Sequence, residues 1–165
     1  MTQHDDSDLI SLVVVDDHPI AREGLCALLM TEPDLQVVGE AGDGLEAVRL
    51  VEQLQPDVLV LDLKMPGLNG HEVTRQVSER WPKTRVVVLS MYRSEAYVLQ
   101  ALKCGAAGYV LKGSGVAELV QAIREVAQGR RYLGPPFSER ALELYIQKAR
   151  GTRPEPEQTV GTPQI

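Results

Sequence analysis

The sequence has 165 residues, 44% of them hydrophobic, which is enough to bury one sizeable core and short for two full domains with a linker. Acidic residues outnumber basic ones by 23 to 17, for a net charge of −6, so the chain lacks the positive excess that binding a nucleic-acid backbone requires. No apolar run approaches the length of a membrane span, and we expect a cytoplasmic protein without a membrane partner.

Residues 1–8, which include Asp5, Asp6 and Asp8, are predicted to form a disordered N-terminus. Five short apolar runs follow, at residues 12–15, 35–38, 58–61, 86–89 and 108–111. The runs are nearly continuous rather than alternating, as in the strands of a parallel sheet that is covered on both faces. Their even spacing leaves room for one helix between successive strands.

The segments between the runs carry apolar residues at helical spacing, as at Ala21 and Leu25 in the first segment. Gly105 and Gly129 follow two of these segments, at the position where a helix commonly ends on a left-handed residue. Residues 9–129 are therefore predicted to form one doubly wound α/β domain, with a five-stranded parallel sheet and five flanking helices.

Beyond this domain the pattern changes. Gly134 and the two prolines after it interrupt an extension over residues 130–150, in which residues 138–150 are predicted to form one extra helix. Residues 151–165 are polar and rich in proline, which indicates a flexible linker. A linker with nothing after it suggests that the sequence stops before a further domain.

A polar side chain follows four of the five runs, at the point where each strand would end. These are Asp16 and Asp17 after the first run, Asp62 after the third, Ser90 after the fourth and Lys112 after the fifth. Ligands of open α/β sheets bind at this edge. Taken singly, each residue has an ordinary explanation as a helix cap, a common loop serine or a solvated lysine.

Taken together, three carboxylates that converge on one edge repel one another unless a cation or a proton compensates. Mg²⁺ suits such oxygen ligands and bridges readily to phosphoryl oxygens. A carboxylate can also take up a phosphoryl group, whose oxygens then need a metal, an ammonium and a hydroxyl donor.

Cys26 and Cys104 lack a CxxC spacing and a nearby histidine, so we expect reduced core residues rather than zinc ligands.

Four motifs carry a family resemblance: VVVDDH at 13–18, LVLDLKMPGLNG at 59–70, VVVLS at 86–90 and GYVLKG at 108–113. In this order and spacing they resemble the receiver domain of bacterial two-component response regulators, over residues 9–129. The resemblance implies a flavodoxin-like sheet with strand order 2-1-3-4-5. It also implies a switch that a sensor histidine kinase phosphorylates, and not an enzyme, although slow autodephosphorylation would fit.

The resemblance implies a role for each acid of the predicted site. Asp62 is then the phosphoacceptor, and Asp17 and Asp62 give side-chain oxygens to Mg²⁺. Asp16 acts mainly through an intervening water, and the backbone carbonyl of Lys64 completes the protein ligands.

Other roles implied by the resemblance concern the bound phosphate. Ser90 and Lys112 each bond one phosphoryl oxygen, and Tyr109 changes rotamer in response. Lys64 and Tyr92 lie two positions beyond a site residue, where they could gate the water that hydrolyses the acyl phosphate. Solvent-exposed loop filling is an equally weighted explanation for these two residues.

The motif GYVLKG, the stretch GRRYL at 129–133 and the added helix resemble the NarL/FixJ subgroup, whose receivers precede a LuxR-type helix-turn-helix domain. This implies a homodimer that contacts DNA only through an effector domain outside this sequence. Gly113 departs from the family pattern, because many receivers have a proline after the lysine and its cis peptide helps to place that side chain.

Two alternatives remain. A phosphatase with an aspartyl-phosphate intermediate would need a second acid two residues after Asp62, where this chain has Lys64. A receiver-like interaction module that is never phosphorylated is the other. His18 follows the acid pair, where it could line the site, but we expect it to begin the first helix and assign it no catalytic role.

Overall fold

The computed structural model describes residues 8–63 and 69–134, together with Gln147. Its strands are β1 (Ile10–Val15), β2 (Leu35–Ala41), β3 (Val58–Asp62), β4 (Arg85–Ser90), β5 (Gly108–Leu111) and β6 (Tyr132–Leu133). Its helices are α1 (Pro19–Leu29), α2 (Gly44–Leu54), α3 (Gly70–Arg80), α4 (Glu95–Lys103) and α5 (Val116–Ala127). Strands and helices alternate along the chain, as the apolar runs and the helical spacing predicted.

The strands form one parallel sheet in the order β2-β1-β3-β4-β5-β6. The α/β class and the order of the first five strands are confirmed, but the prediction of five strands was wrong. The sixth strand pairs Tyr132 with Gly108 and Leu133 with Tyr109. Two residues are too few to show a hydrophobic pattern in the sequence. Strand β6 forms through backbone hydrogen bonds to the otherwise open edge of β5. Apart from Gln147, the helix predicted at 138–150 lies outside the described residues, as do the linker and residues 1–7.

The core has two layers because successive strand side chains point to opposite faces of the sheet. Val13 and Val15 of β1 pack on one face with α2, α3 and α4, whereas Leu12 and Val14 pack on the other with α1 and α5. All four side chains are buried. Burying each one contributes about 1.5–3 kcal/mol, and the full burial of both faces explains the continuous apolar runs.

Helix ends follow local chemistry. Asp43, Asn69 and Ser94 cap the first turns of α2, α3 and α4 by accepting a backbone N–H bond. Gly105 and Gly129 have φ angles of 105° and 88° just after α4 and α5, which confirms the predicted helix ends. Within the described ranges, each helix is too short or too polar to cross a bilayer.

Both cysteines are free and buried. Burial, together with the nearby Glu40 carboxylate, raises the pKa of Cys26 to about 11. Cys26 therefore stays a protonated, unreactive core thiol at neutral pH, in line with the role expected from the sequence.

Gly105→Ala should destabilise the domain, because its φ is positive and a Cβ there would collide with the Ser78 side chain. We expect a loss of about 2 kcal/mol in the free energy of unfolding by urea. Gly24→Ala is the matched control: it lies within α1, and no described atom lies within 4 Å of its Cβ position. That substitution should stabilise by about 0.5–1 kcal/mol. Equal changes in the free energy of unfolding for the two variants would contradict the left-handed, closely packed position of Gly105.

Candidate functional site

The site lies at the carboxyl edge of the sheet, where neighbouring strands bring distant acids together. Asp16 and Asp17 follow β1, and Asp62 ends β3, which is paired with β1 in parallel. The side-chain ligand atoms of these acids and of His18 all lie within 4.8 Å of one another. The predicted convergence of the acids is confirmed, and the pairing of β1 with β3 brings Asp16 beside Asp62.

The carboxylates of this cluster are largely withdrawn from solvent. Asp62 is 2% exposed and Asp16 is 8% exposed. The Lys112 ammonium lies 2.8 Å from Asp62 Oδ2, and Asp16 Oδ1 accepts the backbone N–H of His18 at 2.9 Å. Burying charge in this way is costly unless each charge is paired or hydrogen-bonded, and these contacts supply such partners to Asp62 and Asp16.

One oxygen of the cluster lacks a hydrogen-bond donor among the described residues. Asp17 Oδ1 is buried, and no described residue donates a hydrogen bond to it. His18 Nδ1 is 2.9 Å from this oxygen, but the contact lacks hydrogen-bond geometry. A cation would satisfy this orphaned oxygen, and three carboxylates suit a hard divalent ion. The cluster therefore fits Mg²⁺. Lys64, predicted to add a backbone ligand, lies outside the described residues.

From the sequence, a helix start was preferred for His18 over a place lining the site. It precedes α1 as the N-cap residue, as predicted, but its ring also lies beside both acids. The His18 side chain is 72% exposed, so solvent can reach this side of the site. The available signal was its position directly after the acid pair and before Pro19, which fixes the start of the helix.

The other half of the site comes from β4 and β5. Ser90 ends β4, is buried, and pairs in register with Leu111, the residue before Lys112. Ser90 Oγ accepts the backbone N–H of Tyr92 at 3.0 Å. Acid, hydroxyl and ammonium thus stand on three successive strands, beside a cavity of about 490 Å³ that Ser90, Lys112 and Arg93 help to line.

Gly113 does not prevent Lys112 from reaching the site. Residues Lys112–Ser114 form a single 3₁₀ turn, and Ser114 Oγ donates to the Leu111 carbonyl at 2.6 Å. This bond closes the turn directly behind the lysine. The turn therefore places the ammonium beside Asp62 with glycine where many receivers have proline.

Aromatic side chains connect Ser90 to the surface of α4. Tyr109 is fully buried, and its phenol donates to the Tyr92 carbonyl at 2.8 Å. Burial raises the pKa of Tyr109 above 10, and a hydrogen bond with Ser90 partly offsets this. The Tyr92 ring stacks on Tyr97, with centroids 4.1 Å apart. Displacement of Ser90 would therefore be felt by both Tyr92 and Tyr109.

Comparisons with known proteins agree with the family resemblance of the sequence motifs. Residues 12–124 match the family model of the response regulator receiver domain. The chain is 40% identical over 145 residues to the transcriptional regulatory protein DegU of Brevibacillus brevis, and 40% identical over 131 residues to the response regulator GacA of Pseudomonas aeruginosa. The alignments cover 88% and 79% of this chain and 61% of each relative. The chain thus spans less than two thirds of their length.

Solved structures resemble it as well. A two-component response regulator of the LuxR family from Aurantimonas sp. SI85-9A1 superposes with a TM-score of 0.77 at 40% identity, over 84% of this chain and 99% of that one. The receiver domain of the putative response regulator NarL from Mycobacterium tuberculosis gives a TM-score of 0.70 at 44% identity, over 74% and 99%.

Asp17→Asn should stabilise the metal-free protein, because it removes one of three crowded charges while keeping the side-chain shape. Two like charges 4 Å apart repel by about 1 kcal/mol even in bulk water, and we expect a gain of about that size in urea unfolding with EDTA. Excess Mg²⁺ should stabilise the wild type more than the variant. Asp43→Asn is the control, since asparagine caps a helix equally well. An equal Mg²⁺ effect in wild type and Asp17→Asn would contradict the site.

Proposed function

Because the chain belongs to the response regulator receiver domain family, within the NarL/FixJ subgroup, we propose that it is a switch activated by phosphorylation of Asp62. Receiver domains of this family act in phosphorylation-based two-component signalling. The proposed donor is a sensor histidine kinase. The proposed output is altered dimerisation, or altered contact with a DNA-binding effector domain, in the cytoplasm.

One observation carries the proposal. The Asp62 carboxylate is buried beside two further acids, yet it is in direct contact with the Lys112 ammonium. A purely structural ion pair would need only Asp62 and Lys112. It would not need two additional carboxylates, one of which has a buried oxygen without a hydrogen-bond donor among the described residues. A phosphoryl-accepting site does, because it must hold a cation before the phosphoryl group arrives.

The transfer itself needs little covalent chemistry from the protein. One Asp62 oxygen forms a bond to phosphorus while the bond from phosphorus to the donor's imidazole nitrogen breaks. The imidazole leaves and takes up a proton, and the product is an acyl phosphate. Lys112 exchanges its contact with Asp62 for one with a phosphoryl oxygen, and the Ser90 hydroxyl donates to another.

Mg²⁺ would be held by Asp17, Asp62 and the carbonyl of Lys64, with Asp16 acting through an intervening water. When bound, the ion neutralises negative charge on the phosphoryl oxygens. Asp16 and Asp17 would supply that ion with carboxylate oxygens, those of Asp16 buried and those of Asp17 partly buried.

The signal would leave the site through the Ser90 hydroxyl. Phosphorylation adds about −1.5 to −2 charges, which attract Ser90 and loosen its bonds to Tyr92 and Tyr109. We propose that this changes the balance between the inward Tyr109 rotamer and a solvent-facing one. A few kcal/mol is enough to turn a minor state into the majority, and the surface formed by α4, β5 and α5 would respond.

Incubation of the protein with acetyl phosphate and Mg²⁺ should add one phosphoryl group, measured as intact mass. EDTA and the Asp62→Ala variant should each abolish the adduct. A Mg²⁺-independent adduct, or one that persists in Asp62→Ala, would contradict the proposal. A complete lack of adduct would favour the unphosphorylated module, and turnover of p-nitrophenyl phosphate would favour the phosphatase.

Substituting Lys64 and Tyr92 should change the lifetime of the acyl phosphate, because both side chains are proposed to control the hydrolytic water. We expect a several-fold change when phosphate release from purified phospho-protein is followed over time. Lys83→Ala is the control, since this exposed lysine precedes β4 at the opposite edge of the sheet. An unchanged lifetime after both substitutions would support simple loop filling.

A further inference from the structure

Arg22 is a partly buried cation at the edge of the site that the proposed transfer does not use. It lies on α1, and its side chain is 19% exposed. Its Nη1 donates to the Asp16 carbonyl at 2.6 Å and approaches the Ala41 carbonyl at 3.5 Å. The guanidinium thus joins the ends of β1 and β2, directly behind the acid pair.

The bond to the Asp16 carbonyl matters because that oxygen belongs to the peptide plane between Asp16 and Asp17. The same plane contains the backbone N and Cα of Asp17, so its orientation constrains where the Asp17 side chain leaves the backbone. On the other side of Asp16, its N–H donates to the Ala41 carbonyl at 3.1 Å. Both peptide groups around Asp16 are therefore held, one by the strand ladder and one by Arg22.

The surroundings of Arg22 preserve this arrangement. Glu40 Oε1 accepts from Arg22 Nε at 3.2 Å, which balances the charge of the guanidinium. Gly42 leaves room for it, because a Cβ at that position would lie 3.2 Å from Arg22 Nη1. Glu40 thus holds the guanidinium through Nε, while Nη1 donates to the Asp16 carbonyl.

We propose that Arg22 is a positioning residue that sets the Asp16–Asp17 peptide for cation binding. This inference rests on the proposed function, since it concerns the same Mg²⁺ site. The direction in which Mg²⁺ affinity changes when Arg22 is removed separates a positioning role from a purely electrostatic one. If Arg22 acted only as a nearby positive charge, removing it would strengthen Mg²⁺ binding by reducing repulsion. If it positions Asp17, removing it weakens binding.

The test is a Mg²⁺ titration of the full chain at a temperature well below unfolding, monitored through the amide NMR chemical shifts. Arg22→Met keeps the apolar stem and removes the donors, and we expect Mg²⁺ affinity to fall about tenfold or more, as for other outer-shell partners of metal ligands. Arg124→Ala is the matched control. It removes ion pairs to Glu32 and Asp34 before β2, at the opposite edge of the sheet, and should lower stability while Mg²⁺ affinity stays within twofold.

A second readout needs no metal. In Mg²⁺-free protein, the Asp17 and His18 amide signals should shift or broaden in Arg22→Met and stay unchanged in Arg124→Ala. Unchanged or tighter Mg²⁺ binding in Arg22→Met would overturn the inference. If that variant does not fold, Arg22→Gln, too short to reach the Asp16 carbonyl, is judged by the same criteria. Failure of the wild type to bind Mg²⁺ would instead overturn the proposed function.

Discussion

The repulsion among three carboxylates at one edge of the sheet is the constraint on which the site depends. A parallel sheet brings the ends of β1 and β3 side by side, and the buried strands leave Asp62 and Asp16 little freedom to move apart. Lys112 relieves part of that repulsion, and a buried oxygen of Asp17 remains without a hydrogen-bond donor among the described residues. A bound cation would relieve the remaining repulsion and give this oxygen a partner.

The same constraint explains why the protein can act as a switch. The groups that would contact a phosphoryl oxygen already have other partners in this structure: Lys112 contacts Asp62, and Ser90 contacts Tyr92. Exchanging these partners changes contacts on β4, β5 and α4, including those of the buried Tyr109 side chain. The energy involved is that of a few hydrogen bonds, which is enough to shift a two-state surface and small beside the free energy of the core.

Much of this arrangement could be predicted from the sequence, because it depends on patterns that repeat along the chain. Continuous apolar runs identify strands buried on both faces, and parallel pairing then determines which residues meet at the carboxyl edge. Strand β6 could not be predicted, since its two residues are held by the edge of β5 and by no pattern of their own. The ring of His18 and the bond from Arg22 to the Asp16 carbonyl depend on how α1 leaves the sheet, which residue spacing does not specify.

The central claim is that Asp62, among the three clustered acids, carries the phosphoryl group. Borohydride reduction tests it directly, because it converts an acyl phosphate into an alcohol and so turns a phosphorylated aspartate into homoserine. After treatment with a phosphoryl donor and Mg²⁺, peptide mass spectrometry should find homoserine at position 62, with Asp16 and Asp17 unmodified. Homoserine at position 16 or 17, or aspartate unchanged at all three positions despite a phosphoryl adduct, would contradict the account.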